Sequence, residues 1–430
     1  MNNLLKEHVN SDPTFLMNKK GFIFPACIIV LLIIAASCRW QGEKDFLKSG
    51  FLNPPDTARP GVYWYFMDGN ISRQGITEDL EAMKRAGISY AIFLEVNVGI
   101  PSGTVKFMSD EWIDLFAHAV REAERLGINI ILGSGPGWAG SGGPWVTPEE
   151  SMMHLVSSDT LLTGPAVFNA RLPVPKPKKP FFGESVLTPL LKEKRDNWYA
   201  DVRLLAFPAP DSGKLIRNLE EKAFYYRPPY TSQPGTAPFL AADTSEYPAL
   251  NKSAVRKDKI TDLTMLPGRD GTLTWNVPPG RWIVARFGKR NNGAVTRPAP
   301  EPGLGFESDK FDTAALGSHY RQYTGRLLAK VKPSPATSKG GWKMLHIDSW
   351  EMGAQNWSSR FMDEFIKRRG YDPVLYLPVI AGYIVNSAEE SERFLWDLRQ
   401  TASELIIENH AGYFKQLGSR NGFTLSIEPY

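Results

Sequence analysis

The residues of this chain best suited to chemistry lie in Leu345–Trp357, LHIDSWEMGAQNW. The stretch opens as a short apolar strand, Met344-Leu345-His346-Ile347. It then changes into Asp348-Ser349-Trp350-Glu351 where a strand should end. Folding does not ask for two carboxylates around a tryptophan. Carboxylates are seldom buried without a partner, and one Asp or Ser is enough to start a helix. Cleaving a glycosidic bond does ask for them: an acid protonates the leaving oxygen, a second carboxylate assists, and an indole face suits a pyranose ring. A plainer reading stands beside this one, in which Asp348 or Ser349 caps the next helix and Trp350 is core.

Further carboxylates stand at the ends of other apolar runs. Asp68 follows Gly61–Met67, read as a buried strand; Glu95 follows Tyr90–Leu94, with Asn97 close behind; Glu428 follows Phe423–Ile427. In the pleat Glu428 shares a face with Thr424 and Ser426, opposite Phe423, Leu425 and Ile427. Environment can split such groups into opposed roles. A glutamate crowded by tryptophan and other carboxylates keeps its proton toward pH ~6, whereas a better solvated one stays ionised as base or nucleophile. Glu351, beside Trp350, is the expected acid and Glu428 the candidate second carboxylate. The plainer alternatives are a cap or hydroxyl acceptor for Glu428 and loop caps for Asp68 and Glu95.

Other chemistries find less support. The loop GSGPGWAGSGGPW (Gly133–Trp145) lacks a G-K-[ST] ending, and its prolines remove donors that a phosphate cradle would use. It reads as a rigid loop presenting Trp138 and Trp145. No G-x-S-x-G elbow or H-E-x-x-H occurs. The six histidines, His118 and His154 among them, have no metal-ligand spacing and read as structural. Metal ligands are therefore not assigned from spacing.

The elements that must position these residues follow from periodicity. A helix is expected from Thr77, as cap, to Gly87, and a second from Ser109 to Gly127 with Trp112, Leu115, Phe116, Ala119 and Ala123 inward. Strand Ile128–Leu132 comes next. Strand–helix alternation at this spacing implies parallel strands with a site at their carboxyl ends. From about Leu155 to Gly340 helical periodicity fades and short alternating stretches appear. These are Val202–Phe207, then Gly271–Val277 and Trp282–Phe287 joined by a turn at Pro278-Pro279-Gly280. Asp309–Asp312 starts a helix-like stretch. Helices are expected again over Ser358–Gly370 and Glu390–Gly418. The fold class is α/β: a (β/α)8 barrel interrupted by a β-rich, sandwich-like insertion. The expected organisation is a leader at 1–38, a tether at 39–55, barrel at 56–155, insertion at 156–340 and barrel again at 341–430. Five strands fall short of the eight a closed barrel needs, so the chain is expected to be the front portion of a longer protein.

Lys19-Lys20, the apolar run Gly21–Ser37 and Ala35-Ala36-Ser37-Cys38 describe an export signal ending in a small-small-Cys lipobox, with Cys38 acylated. An uncleaved anchor is the alternative, although the run is at the short limit for spanning. Both cysteines, Cys27 and Cys38, lie in this leader, which excludes a disulfide or a thiolate metal site from the exported portion of the chain. The formal net charge of +4 is spread without basic runs and gives no nucleic-acid footprint.

Five ordered motifs together resemble glycoside hydrolase family 106, the α-L-rhamnosidases. They are ARPGVYWYFMDGN (Ala58–Asn70), GPGWAGSGGPWVTPEESMM (Gly135–Met153), HIDSWEMGAQNW (His346–Trp357), RRGYDP (Arg368–Pro373) and SIEPY (Ser426–Tyr430). The resemblance implies a (β/α)8 catalytic domain with β-domains and inverting hydrolysis of terminal α-L-rhamnosyl linkages in oligosaccharides or glycosides. It also implies a Ca2+ ion at the sugar. Glu351 matches the general acid, and the base is Glu428 or a glutamate farther downstream. Asp68, Glu95, Trp138, Trp145, Asp348, Trp350 and Asn356 are the expected substrate contacts. With the leader, this describes a lipoprotein of the periplasm or outer membrane of a Gram-negative bacterium, held to the membrane by its lipid alone. The rival readings are a non-catalytic glycan-binding lipoprotein and an inactive fragment.

Overall fold

The computed structural model describes residues 46–138, 140–229, 234–240, 243–247 and 254–428. Cys38 and the expected leader lie outside them. Among the described residues no helix is long and apolar enough to cross a membrane. The chain divides into two units at Arg59/Pro60; the described part of the first includes a short helical turn, Asp56–Ala58. The second unit holds the rest of the chain.

It begins as the periodicity demands, with β1 (Gly61–Met67), α1 (Arg73–Arg85), β2 (Tyr90–Val96), α2 (Asp110–Leu126) and β3 (Asn129–Gly133). α2 is capped as expected, the Ser109 hydroxyl accepting from Trp112 N–H at 3.2 Å and Gly127 closing the helix at φ +72°. The cap of α1 is not Thr77. Ser72 accepts from Gly75 N–H at 3.1 Å, and Thr77 lies within the helix with its hydroxyl 2.9 Å from His118 Nε2. The buried Ile76 belongs to the first turn, so the cap has to precede it.

Three long antiparallel strands come next: β4 (Met153–Arg171), β5 (Ala200–Pro208) and β6 (Thr272–Asn291). With the short pair Thr261–Asp262 they form one sheet in the order β4-β6-β5-edge. At Pro278-Pro279-Gly280 the expected bend is present, but it bends the paired β4–β6 ribbon as a whole. The register slips there, from Gly164↔Gly280 to Ala166↔Val277, and beyond it the ribbon folds back, so that Pro173 C=O accepts from Ser158 Oγ at 2.6 Å and Leu172 C=O from Arg286 Nη1 at 3.0 Å. Prolines tolerate such a slip, where the ladder does not need their missing N–H. The outer half of the ribbon, with Phe168, Leu273 and Trp275, packs on Leu204 and Ala206 of β5 and on Val284 of the inner half. One side of this sheet, with Leu155, Phe207, Ala285 and Phe287, packs on two helices, α4 (Phe361–Arg369) and α5 (Ala388–Leu405), through Phe361, Phe365, Phe394 and Leu398. Before them α3 (Thr313–Tyr320) starts at Asp312, whose carboxylate accepts from Ala314 N–H at 2.8 Å.

β7 (Gly341–Ile347) and β8 (Thr424–Ile427) then return to the parallel strands, giving one five-stranded sheet in the order β1-β2-β3-β7-β8. Pleating sorts its side chains. Trp64, Phe66, Phe93, Ile130, Leu132, Trp342 and Leu345 face the helices and form the largest core with Trp112 and Phe116. The opposite face carries Ile92, Leu94, Val96, Ile131 and Met344. β1 is therefore not buried on both sides: Tyr63, Tyr65 and Met67 are 41%, 38% and 38% exposed while Trp64 and Phe66 are buried. The architecture is mixed α/β.

Asn356, an expected substrate contact, instead joins the two halves of this unit. It is fully buried; its carbonyl accepts from Leu155 N–H of β4 at 2.9 Å and its amide donates to Ala223 C=O at 2.7 Å. Asn356→Ala strands both backbone groups. A loss of about 2–4 kcal/mol in unfolding free energy is expected by urea denaturation.

Candidate active site

Where the parallel strands end, their pleat-alternate residues meet. Tyr63 Oη of β1 donates to Glu428 Oε2 at 2.5 Å and also bonds Asp348. His346 Nε2 lies 3.0 Å from Asp348 Oδ2 and its Nδ1 3.1 Å from Ser426 Oγ, while Ser349 N–H donates to Asp348 Oδ1 at 2.8 Å. The Tyr63 ring stacks on Tyr65 at 5.4 Å, and Tyr65 meets the edge of Trp138 at 5.9 Å. Trp138 Nε1–H donates to Glu351 Oε2 at 2.9 Å, and Ser349 Oγ to Oε1 at 3.2 Å. The aromatic row Tyr63–Tyr65–Trp138 thus runs from the Asp348–Glu428 pair to Glu351.

Three carboxylates act on this row. Burial raises the Tyr65 phenol, and the charges of Asp348, Glu428 and Glu351 raise it further. Tyr63 is pushed far above the phenol range by burial, then by its bond to Glu428 and the charge of Asp348. Both phenols keep their protons and remain donors. Burial opposes ionisation of Asp348, yet the hydrogen bonds from His346, Ser349 N–H and Tyr63 outweigh it and hold its pKa below the usual value.

The loop carrying Trp138 is fixed from behind by buried charge. Lys310 and Glu307, neither exposed at all, pair at 2.7 Å. Lys310 Nζ also donates to Ser141 Oγ at 3.0 Å, Glu307 Oε2 accepts from Ser141 N–H at 3.0 Å, and His410 Nε2 lies 3.0 Å from Ser141 Oγ. Burial lowers the Lys310 pKa while Glu307 opposes the fall. His410 is driven well below its ordinary value by burial, then by the Lys310 charge, and stays neutral. Glycine is required beside this clamp: a Cβ on Gly140 would come within 2.8 Å of the Glu307 carboxylate.

Of the expected contacts, Glu351, Trp138, Asp348 and Glu428 are brought together and the others are not. Glu95 lies on the helix side of the sheet, accepting from Trp112 Nε1–H and from Gly69 N–H at 3.1 Å. Asp68 accepts from Ser102 Oγ and shares a small cavity with Glu95. The reason is parity: Glu95 falls in the same pleat phase as Phe93. Trp145 turns its N–H to His319 Nδ1 at 3.2 Å and stacks on Tyr323. Trp350 packs on Met152, Ala294 and Met352 and donates to Gly353 C=O at 2.6 Å, as the plainer reading has it. Asp348 caps no helix, since α4 starts only at Phe361. Tyr63, Tyr65 and His346 went unrecognised in the sequence. The signal was a polar group at every second position of VYWYF and LHID, in phase with Thr424, Ser426 and Glu428.

Compared with known proteins, residues 52–429 match the family profile of alpha-L-rhamnosidase, glycoside hydrolase family 106. The chain belongs to that family. It is 36% identical over 406 residues, 94% of its length, to a Formosa agariphila protein whose assigned name, beta-glucuronidase, is provisional; the match spans 32% of that protein. A rhamnosidase structure from Novosphingobium sp. PP1Y shares the fold with TM-score 0.75 and 25% identity, over 89% of this chain and 47% of that one. The chain thus spans a third to a half of the relatives it matches.

The calcium ion implied by family resemblance can be tested against the residues present. His346, Asp348 and Glu428 offer ligand atoms all within 4.8 Å of one another. Calcium prefers oxygen donors, which the two carboxylates supply. Both His346 nitrogens already face Asp348 and Ser426, so the imidazole suits orienting Asp348 more than binding the ion. The donor set fits.

Two outcomes are expected from the buried charges. Lys310→Met leaves Glu307 uncompensated and should cost about 3–5 kcal/mol by denaturant unfolding, with Lys310→Met/Glu307→Leu recovering much of it. Burial raises the Glu95 pKa to about 7, offset in part by its hydrogen bonds from Trp112 and Gly69. The folded state therefore binds more protons than the unfolded one between the ordinary value of 4.5 and about 7. Stability should fall across that window as pH rises, by on the order of 3 kcal/mol, and Glu95→Gln should flatten the fall in thermal melts.

Proposed function

We propose that this chain carries the acid-side machinery of an inverting glycoside hydrolase acting on terminal α-L-rhamnosyl residues. The observation that carries the reading is the row Tyr63–Tyr65–Trp138 with Glu351 at one end and the Asp348–Glu428 pair at the other. A sugar ring laid against such a row has carboxylates on hand for the two roles that hydrolysis needs. Glu351, oriented by Trp138 and Ser349, protonates the glycosidic oxygen. Glu428 is the candidate for activating water; if it holds calcium instead, that role falls to a carboxylate that is not in this chain. Calcium held by Asp348 and Glu428 would fix the hydroxyls of the sugar as a hard cation. The five parallel strands are read as part of a (β/α)8 barrel, and the leader as the route to an exported, lipid-anchored enzyme.

The name of the Formosa relative raises a uronide as the alternative substrate. Electrostatics disfavour it: among the described residues the charges that raise the Tyr65 phenol are Asp348, Glu428 and Glu351. A uronate would add a like charge to this group, whereas the 6-deoxy ring of rhamnose is neutral.

The test is hydrolysis of 4-nitrophenyl α-L-rhamnoside against the β-D-glucuronide. Turnover of the rhamnoside, with β-rhamnose as first product by NMR, is expected; hydrolysis of the glucuronide alone overturns the assignment. Glu351→Gln should lower kcat/KM by about 10²–10⁴-fold while sugar binding persists. A non-catalytic binder would show no turnover to lose. Glu428→Gln should also lose activity: recovery in excess calcium assigns Glu428 to the ion, and no recovery assigns it to the water.

A further inference from the structure

A cavity among the described residues lies away from the carboxylate cluster, on the antiparallel sheet. It has a volume of about 240 Å³ and is lined by Leu172, Leu204, Asp201, Arg203, Arg286 and the loop Pro267–Gly271 with Arg269. Its floor is apolar and buried, Leu172 and Leu204 belonging to the core on the side of the sheet turned away from α4 and α5. Its rim holds three guanidinium groups against one carboxylate.

That carboxylate is fully engaged. Asp201 Oδ1 accepts from Arg286 Nε at 2.7 Å and Tyr199 Oη at 2.5 Å, and Oδ2 from Arg286 Nη2 at 2.8 Å. Arg286 is locked by the same fork, by Nη1 donating to Leu172 C=O at 3.0 Å, and by the Tyr199 ring 5.1 Å away. Three of its five N–H groups are engaged and two remain, in a fixed plane. Arg203 donates once, to Val202 C=O at 2.8 Å, and stands 4.0 Å from Asp262. Arg269 is exposed and forms no ion pair among the described residues. The cavity therefore offers an apolar floor, a preorganised guanidinium and, in Arg269, one cation with no ion pair among the described residues. Planar forks of this kind recognise carboxylate and sulfate groups.

We infer that this cavity is a second, non-catalytic subsite for a sugar ring bearing one anionic group, a carboxylate or a sulfate ester. Its volume suits one ring with a substituent, and Leu172 and Leu204 can take the C–H face of the ring. The saccharide part rests on the glycoside hydrolase reading above. The two sites divide the work by charge: the carboxylate cluster takes a neutral terminal residue, and the arginines hold an acidic residue of the same glycan.

Isothermal titration of the full chain with galacturonate, galactose 6-sulfate and galactose tests this. At least one acidic sugar should bind roughly tenfold tighter than galactose. Arg203→Ala/Arg269→Ala should abolish that advantage, while Glu351→Gln should leave it unchanged. Preference for the uronate or for the sulfate ester names the anion. Equal affinity for all three sugars, no binding, an advantage that survives the double variant, or inorganic sulfate binding as tightly overturns the subsite. Rhamnoside turnover is read on the same samples. Turnover without acidic-sugar binding overturns the subsite alone, and binding without turnover overturns the catalytic reading alone.

Discussion

A buried charge pair holds the loop that brings Trp138 to the carboxyl ends of the parallel strands. Lys310 and Glu307 have no access to water, and desolvating them is costly unless each finds partners. Both find them on Ser141, in the loop that leaves β3. A glycine-rich loop is entropically expensive to order, and this pair supplies directed bonds that hold one arrangement. Trp138, in the same loop, then meets Glu351 with a fixed N–H. The loop's glycines serve close approach to Glu307 rather than to a phosphate.

The second constraint is repulsion among carboxylates. Asp348, Glu428 and Glu351 surround two tyrosines, and among the described residues they are the charges that raise the Tyr65 phenol. What makes the cluster tolerable is a set of hydrogen-bond donors: Tyr63, His346, Ser349 and Trp138 each bond to a carboxylate. Such an arrangement solvates the carboxylates from within the protein. It suits a neutral sugar, a hard cation or a developing oxocarbenium ion, and it repels an anion. The cavity on the other sheet is rimmed by arginines instead of carboxylates.

Much of this was legible in the sequence. Local periodicity is enough to find a parallel strand or an amphipathic helix, so the five strands, α2 and the motif at Asp348–Glu351 could be placed. The likeness to family 106, carried by five motifs, was also visible, and the family match over residues 52–429 agrees with it. The prolines at 278 and 279 mark a real bend. What the sequence did not show is that the paired ribbon bends as one, since the matching slip in β4 lies more than a hundred residues earlier in the chain.

The sequence alone determined which residues end the strands and that acidic and aromatic groups gather there. Only the tertiary structure decided which of them meet. Pleat parity sends Glu95 to the helices and Tyr63 and Tyr65 to the open face, and a strand's parity relative to the core is fixed by its neighbours. Likewise Asn356, Trp145 and Trp350 have the right chemistry for a sugar, but their polar groups are taken by backbone or histidine in the packed interior. Residue type is a local property; the partner that claims a buried hydrogen bond comes from distant sequence.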